Sequence, residues 1–292
     1  MAENLENIKY DYAQIGGIKL HYATAGEGEK LVILLHGFPE FWYSWRRQIA
    51  ALSDEYTVVA PDMRGYNLSD KPTKVSDYEI SKLVDDVIGL IRHLGREKAA
   101  IIGHDWGASV AWSLAEKHPE YLWKLGALQV PPISVWRKNL TLRQLLTSWY
   151  MFFFQIPRLP EFLFKLNDFA ALENALKNTT AEKDVFSDED IAQYKKAWSE
   201  PLALTAMVNY YRANVLKRFT GAAGKQKKIK VPTVFIYGEQ DKAILPETVK
   251  GVRDVIDAPY EEFHIPTGAH WVQQEASDAV TDILREFLAE GE

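Results

Sequence analysis

The apolar run Ala99-Ala100-Ile101-Ile102 breaks into Gly103-His104-Asp105-Trp106-Gly107. It then passes at once into the helical pattern Val110-Ala111-Trp112-Ser113-Leu114-Ala115. A strand that turns directly into a helix brings backbone segments so close that only residues without Cβ fit, which accounts for the two glycines. The spacing is that of the G-x-S-x-G nucleophile turn, with Asp105 where serine usually stands. The residue at the tip of such a turn is held in a strained backbone state with its side chain pushed out of the sheet. It also sits at a helix N-terminus, whose unpaired N–H groups favour negative charge. Asp is a common helix N-cap, but a cap alone does not call for flanking glycines.

The identity of the tip residue narrows the chemistry. A carboxylate with a reference pKa of about 3.9 is already ionised at neutral pH and needs no base to become a nucleophile. Attack on an ester or amide would give a mixed anhydride, whereas attack on a saturated carbon bearing a leaving group gives an ordinary alkyl ester. Asp105 therefore points to epoxides or alkyl halides rather than to esters or peptides.

Strand-like and helical patterns alternate on both sides of this turn. Ile18–Ala23 alternates like a half-exposed strand, and Leu31–Leu35 and Thr57–Ala60 read as buried parallel strands. A helix is expected from about Trp42 to Leu52. Leu83, Val84, Val87, Ile88, Ile91 and Leu94 recur at helical spacing before a stop at Gly95. Trp123–Val130 is a further strand. After Pro131-Pro132 the alternation ceases, and a helical, aromatic-dense segment runs to Gly224, with a helix start at Ser187-Asp188-Glu189-Asp190. Gly221–Lys228 reads as an exposed, solvated connection. Strands resume at Thr233–Gly238 and Glu261–Ile265, and a final helix spans about Ala276 to Leu288. The expected fold class is α/β, a doubly wound, mostly parallel sheet with an inserted helical cap. The expected divisions are 1–131 for the first part of the core, 132–224 for the cap and 225–292 for the second part.

The 292 residues suffice for a core of this size, and 47% of them are hydrophobic. The net charge of −6 gives no pull toward nucleic acid or anionic lipid. With no cysteine there is neither a disulfide nor a thiol nucleophile. No secretory signal is expected from the first residues, and no apolar run approaches the roughly 18 residues of a membrane span. A cytoplasmic protein without metal or cofactor is the expectation. Its oligomeric state is not legible.

An alkyl ester on Asp105 must be hydrolysed, and that step needs a base for water, most often a histidine oriented by an acid. Of the seven histidines, His21, His93, His118 and His264 sit in or beside regular elements. His270 follows a strand in the loop Pro266–Trp271, where such sheets place their chemistry. Asp241, in Gly238-Glu239-Gln240-Asp241, is the fitting acid and Glu239 its rival; the end of the preceding strand, Gln129–Pro132, offers none. The chain order nucleophile, acid, histidine is that of the α/β-hydrolases. The loop His36-Gly37-Phe38-Pro39 offers the Phe38 N–H, and Trp106 the second N–H, of an oxyanion hole.

The motifs His36-Gly37-Phe38-Pro39-Glu40, Asp62-Met63-Arg64-Gly65-Tyr66 and Gly103–Gly107, with the late Asp241 and His270, resemble those of soluble-type epoxide hydrolases. The resemblance covers essentially the whole chain. It implies a small apolar epoxide as substrate and two cap tyrosines that hydrogen-bond the epoxide oxygen. Tyr150 matches the first. Tyr211 matches the second, with Tyr210 beside it as the competing position. It also implies that Glu40 and His104 help place the hydrolytic water. Haloalkane dehalogenases share part of these motifs but often carry an asparagine after His-Gly, where this chain has Phe38. A non-catalytic receptor on the same fold is the third reading, and the intact set Asp105, Asp241 and His270 argues against it.

Overall fold

A computed structural model describes residues 7–220 and 227–290. Eight strands form one sheet: β1 (Lys9–Ile15), β2 (Ile18–Ala25), β3 (Leu31–Leu35), β4 (Thr57–Pro61), β5 (Ala99–His104), β6 (Leu122–Leu128), β7 (Thr233–Gly238) and β8 (Tyr260–Ile265). Their spatial order is β1-β2-β4-β3-β5-β6-β7-β8. The first two pairings are antiparallel and the rest parallel. In β3 and β5 every residue is buried, as expected of continuous apolar runs covered on both faces. β2 differs from the sequence expectation. It is buried along most of its length, because it lies inside the sheet between β1 and β4. β1 carries no apolar signal in Lys-Tyr-Asp-Tyr-Ala-Gln-Ile because it is an edge strand with mostly exposed positions.

The helices follow the alternation. A short 3₁₀ turn at Trp42–Trp45 leads into α1 (Arg46–Leu52), and α2 (Ile80–His93) and α3 (Trp106–Lys117) flank the central strands. β6 ends at Leu128, two residues short of the expected end, where Gln129 turns to φ +66°. Between β6 and β7 the described residues hold helices and no strand. These are α4 (Ile133–Lys138), α5 (Leu142–Thr147), α6 (Trp149–Phe153), α7 (Leu159–Lys165), α8 (Ala170–Lys177), α9 (Asp188–Ser199) and α10 (Ala203–Thr220). α9 begins in a capping box between Ser187 and Asp190. Of the connection expected at Gly221–Lys228, the first six residues lie outside the described ones, and Lys227 and Lys228 are exposed. The chain closes with α11 (Pro246–Val249), α12 (Val272–Glu275) and α13 (Ser277–Ala289).

This topology decides where chemistry can sit. β3 and β5 are parallel neighbours, with Leu35 opposite Gly103, so their C-terminal loops lie side by side. β6, β7 and β8 follow in order beyond β5, and their loops carry residues 129, 241 and 270 to the same edge. The helical insert is tied over that edge by buried polar contacts. Trp198 Nε1 donates to Pro39 O at 2.7 Å, and Arg46 pairs with Asp190 at 2.8 Å.

Candidate active site

The turn after β5 is as tight as its glycines suggest. A Cβ on Gly103 would lie 2.3 Å from Gly107 O, and one on Gly107 would lie 2.1 Å from Leu35 O. Asp105 between them has φ +50° and ψ −113°, a conformation that costs a residue with a side chain on the order of 1–3 kcal/mol. The Phe38 N–H donates to Asp105 Oδ1 at 2.9 Å. Trp106, the other residue expected to supply an oxyanion-hole N–H, begins α3, and its ring stands edge-on to Tyr211 with centroids 5.2 Å apart.

His270 and Asp241 meet. His270 Nδ1 lies 2.8 Å from Asp241 Oδ2, and both residues are buried. Asp241 is held by its other oxygen, which accepts from the N–H groups of Ala243 and Ile244 at 2.6 and 2.9 Å. Burial alone would lower the affinity of His270 for a proton, but the charge and hydrogen bond of Asp241, with smaller contributions from Asp105 and Glu40, push its pKa up to about 9. The rival acid Glu239 is exposed and lies 3.7 Å from His264 Nδ1, on the outer side of β8.

Gln129 completes the arrangement, and sequence reasoning passed over it because it is not an acid. Its fully buried amide binds three elements. Nε2 donates to Asp241 Oδ2 at 2.8 Å and to Ala269 O at 2.6 Å, and Oε1 accepts from Gly238 N–H at 2.6 Å. The end of β6 thus clamps the loop of the acid to the loop of the histidine. The signal that could have found it is a polar residue at a strand end in an otherwise apolar run.

Glu40 and His104 are fully buried and joined at 2.8 Å through His104 Nδ1. The opposite nitrogen, Nε2, donates to the His270 carbonyl at 2.7 Å. Glu40 also accepts from Gly37 N–H and from the amides of Gln273 and Gln274. Burial disfavours its charge, yet the charge and hydrogen bond of His104, with smaller contributions from His36 and the Gly37 N–H, hold its carboxyl below the usual range. Both nitrogens of His104 thus face oxygens, Nε2 the His270 carbonyl and Nδ1 the Glu40 carboxyl. His36 is fully buried in the neighbouring loop, where its Nε2 accepts from Met63 N–H at 2.9 Å. His21 is buried against Asp62 at 2.6 Å, and His93 and His264 are exposed.

A cavity of about 380 Å3 opens over Asp105. Its walls include Trp106, Trp112, Trp136, Tyr150, Met151 and Tyr211. The Tyr150 and Tyr211 rings lie 5.9 Å apart. Tyr210 is absent from the wall; it is fully buried, and its hydroxyl donates to Arg64 O at 2.7 Å. The cavity therefore has a carboxylate at its floor, paired phenols in its wall and a predominantly apolar lining.

Comparison with known proteins places this geometry in a family. The model of the α/β-hydrolase fold matches residues 30–277. The AB hydrolase superfamily protein YfhM of Bacillus subtilis (strain 168) is 41% identical over 296 residues, spanning 97% of this chain and 99% of that protein. Epoxide hydrolase 4 of Mus musculus is 37% identical over 281 residues, 94% of this chain and 77% of that one. Among solved structures, an epoxide hydrolase of Bacillus megaterium superposes with a TM-score of 0.88 at 29% identity, covering 96% of this chain and 100% of the other. The epoxide hydrolase VrEH1 of Vigna radiata does so with 0.83 at 33% identity, covering 98% of each. The chain belongs to the α/β-hydrolase family and, within it, to the epoxide hydrolases.

Proposed function

We propose that the protein hydrolyses apolar epoxides to vicinal diols through an ester on Asp105, with the helical segment 132–224 acting as the cap over the reacting centre. The observation that carries this reading is the placement of Asp105, Tyr150 and Tyr211 around one cavity. The Asp105 carboxylate attacks a ring carbon from the floor. The C–O bond breaks, and the developing alkoxide takes hydrogen bonds from the two phenols and then a proton from one of them; the proton that His270 later takes from water returns through solvent to that phenolate. Water, deprotonated by His270, then attacks the ester carbonyl. The resulting oxyanion is stabilised by the N–H groups of Phe38 and Trp106, and its collapse releases the diol and restores Asp105. Asp241 stabilises the imidazolium, Gln129 holds Asp241 in place, and Glu40 and His104 position the loop and the water.

Mass spectrometry after brief exposure to styrene oxide tests the first step. The expected result is an adduct on the peptide holding Asp105, absent in Asp105→Ala, which should also lack turnover. An adduct elsewhere, or turnover in Asp105→Ala, would overturn the reading.

The raised pKa of His270 gives a second test. In the free enzyme the ring is protonated below about 9. Esterification removes the negative charge of Asp105, one of the causes that raise it. The His270 pKa then falls, so at a given pH a larger fraction of the ring is neutral and able to accept a proton. Ester hydrolysis should therefore rise with pH through an apparent pKa below 9. Gln129→Glu sets a second carboxylate beside Asp241 and should shift that rise to higher pH. Single-turnover hydrolysis across the pH range reads both, and an unmoved limb in Gln129→Glu would remove Gln129 from the machinery.

A further inference from the structure

Two stretches of the cap carry their polarity reversed. Along α5 and α6, Leu142, Leu146 and Trp149 follow at i, i+4 and i+7 and are 73%, 67% and 62% exposed. The opposite positions are polar and buried. Gln144 donates to Ser148 Oγ at 2.9 Å and to Ala243 O at 2.8 Å, and it accepts from Leu245 N–H at 2.9 Å. α7 and the residue after it repeat the pattern. Leu159, Phe162, Leu163 and Leu166 stand at i, i+3, i+4 and i+7, all exposed, while Glu161 is turned to Arg212 at 2.6 Å. A helix facing water has the opposite arrangement. Of the sixteen exposed large apolar side chains among the described residues, ten lie between positions 133 and 166. A concentration of this kind marks a surface that meets something apolar.

The charges on the same stretch say what. It holds Arg137, Lys138, Arg143, Arg158 and Lys165 against one acid, Glu161, which Arg212 occupies. The chain as a whole is at −6, so the local balance is opposite to the global one. Two core acids reach the edge, Glu247 at 3.6 Å from Arg143 and Asp254 at 3.9 Å from Lys138. Both are solvent-exposed pairs of the weak kind.

We propose that the face formed by α5, α6 and α7 docks on an anionic lipid surface. Leu146, Trp149 and Phe162 enter the boundary of the acyl chains, and Arg143, Arg158 and Lys165 meet the headgroup phosphates. A two-fold contact with a second copy would instead set these cations against their own counterparts. No helix among the described residues is long and apolar enough to cross a membrane, so the contact is peripheral. It places the cavity wall beside the phase in which apolar molecules dissolve, since Tyr150 and Met151 share α6 with Trp149.

Flotation with vesicles of equal phosphatidylcholine and phosphatidylglycerol, against phosphatidylcholine alone, tests this. The intact protein should float with the anionic vesicles and be released at high salt. Leu146→Glu with Phe162→Glu should weaken that binding by at least about 100-fold. Arg158→Glu with Lys165→Glu should weaken it by at least about tenfold. Both double variants should turn over a small water-soluble epoxide at the parent's rate, which shows that they fold. A measurement free of that requirement uses brominated lipid. It should quench the parent's tryptophan emission, and Trp149→Phe should lose much of the quenching. The proposal is overturned if the parent stays unbound on anionic vesicles. It is equally overturned if light scattering shows a dimer that Leu146→Glu with Phe162→Glu dissolves while vesicles bind neither form.

Discussion

His270→Asn is expected to react with one equivalent of epoxide and then stop. The substitution leaves Asp105, the cavity and both tyrosines in place, so ring opening should run at close to the parent's rate. What disappears is the base for water. Positioned general bases contribute about 10²–10⁴-fold, and steady turnover should fall by at least that range. The ester on Asp105 should accumulate to one per chain, visible as a stable mass increase and as a burst of substrate loss equal to the enzyme present. Asp241→Asn should give a milder form of the same behaviour, because the neutral side chain at 241 no longer stabilises the imidazolium or enforces its tautomer. If His270→Asn turns over at near the parent's rate, or forms no ester, His270 is not the base.

The second large effect belongs to the cap. On the proposed mechanism Tyr150 and Tyr211 meet an oxygen that carries charge only as the ring opens, so their hydroxyls would act in the transition state rather than in binding. Losing one donor at such a position typically costs about 2.7–4 kcal/mol, or roughly 10²–10³ in rate. With two donors sharing one oxygen, each single Tyr→Phe change should cost less than that, and the double change far more. Phenylalanine keeps the ring, so the packing between residues 150 and 211 should persist. Ester hydrolysis should be little affected. Stopped-flow tryptophan quenching separates the two phases, with Tyr210→Phe as the control whose hydroxyl is already committed to Arg64 O. Should the double variant open epoxides at the parent's rate, the phenols are packing residues and the leaving group needs another explanation.

Much of the fold and of the candidate site is legible in the sequence alone, and the reason differs from residue to residue. Asp105 announced itself because two glycines and two regular elements converge on it, and the close approaches of Gly103 and Gly107 show why no other residue fits there. His270 and Asp241 were legible because strand ends in a parallel sheet are few and only some carry titratable groups. Tyr211 against Tyr210 was not, since one position of helical rotation decides which ring faces the cavity, and periodicity does not resolve one residue. Gln129 was invisible for a different reason. An uncharged amide belongs to no motif, and its value comes from contacts to residues 238, 241 and 269, each over a hundred positions away in the chain. β1 escaped because an exposed edge strand need not alternate apolar residues. The outward apolar stripes of α5 and α7 contradict the assumption that makes periodicity useful, namely that the apolar side faces inward.

The backbone at position 105 bears on the choice between an enzyme and a binding protein. With φ +50° and ψ −113°, that residue sits where glycine would rest without cost. The fold would be more comfortable with no side chain there at all. A chain that merely enclosed a small molecule would gain nothing from keeping a carboxylate in so awkward a posture, and relaxation to glycine would be open to it by single substitution. The aspartate at the crest of the turn is thus a standing liability, and its proposed use as a reagent accounts for its being kept there.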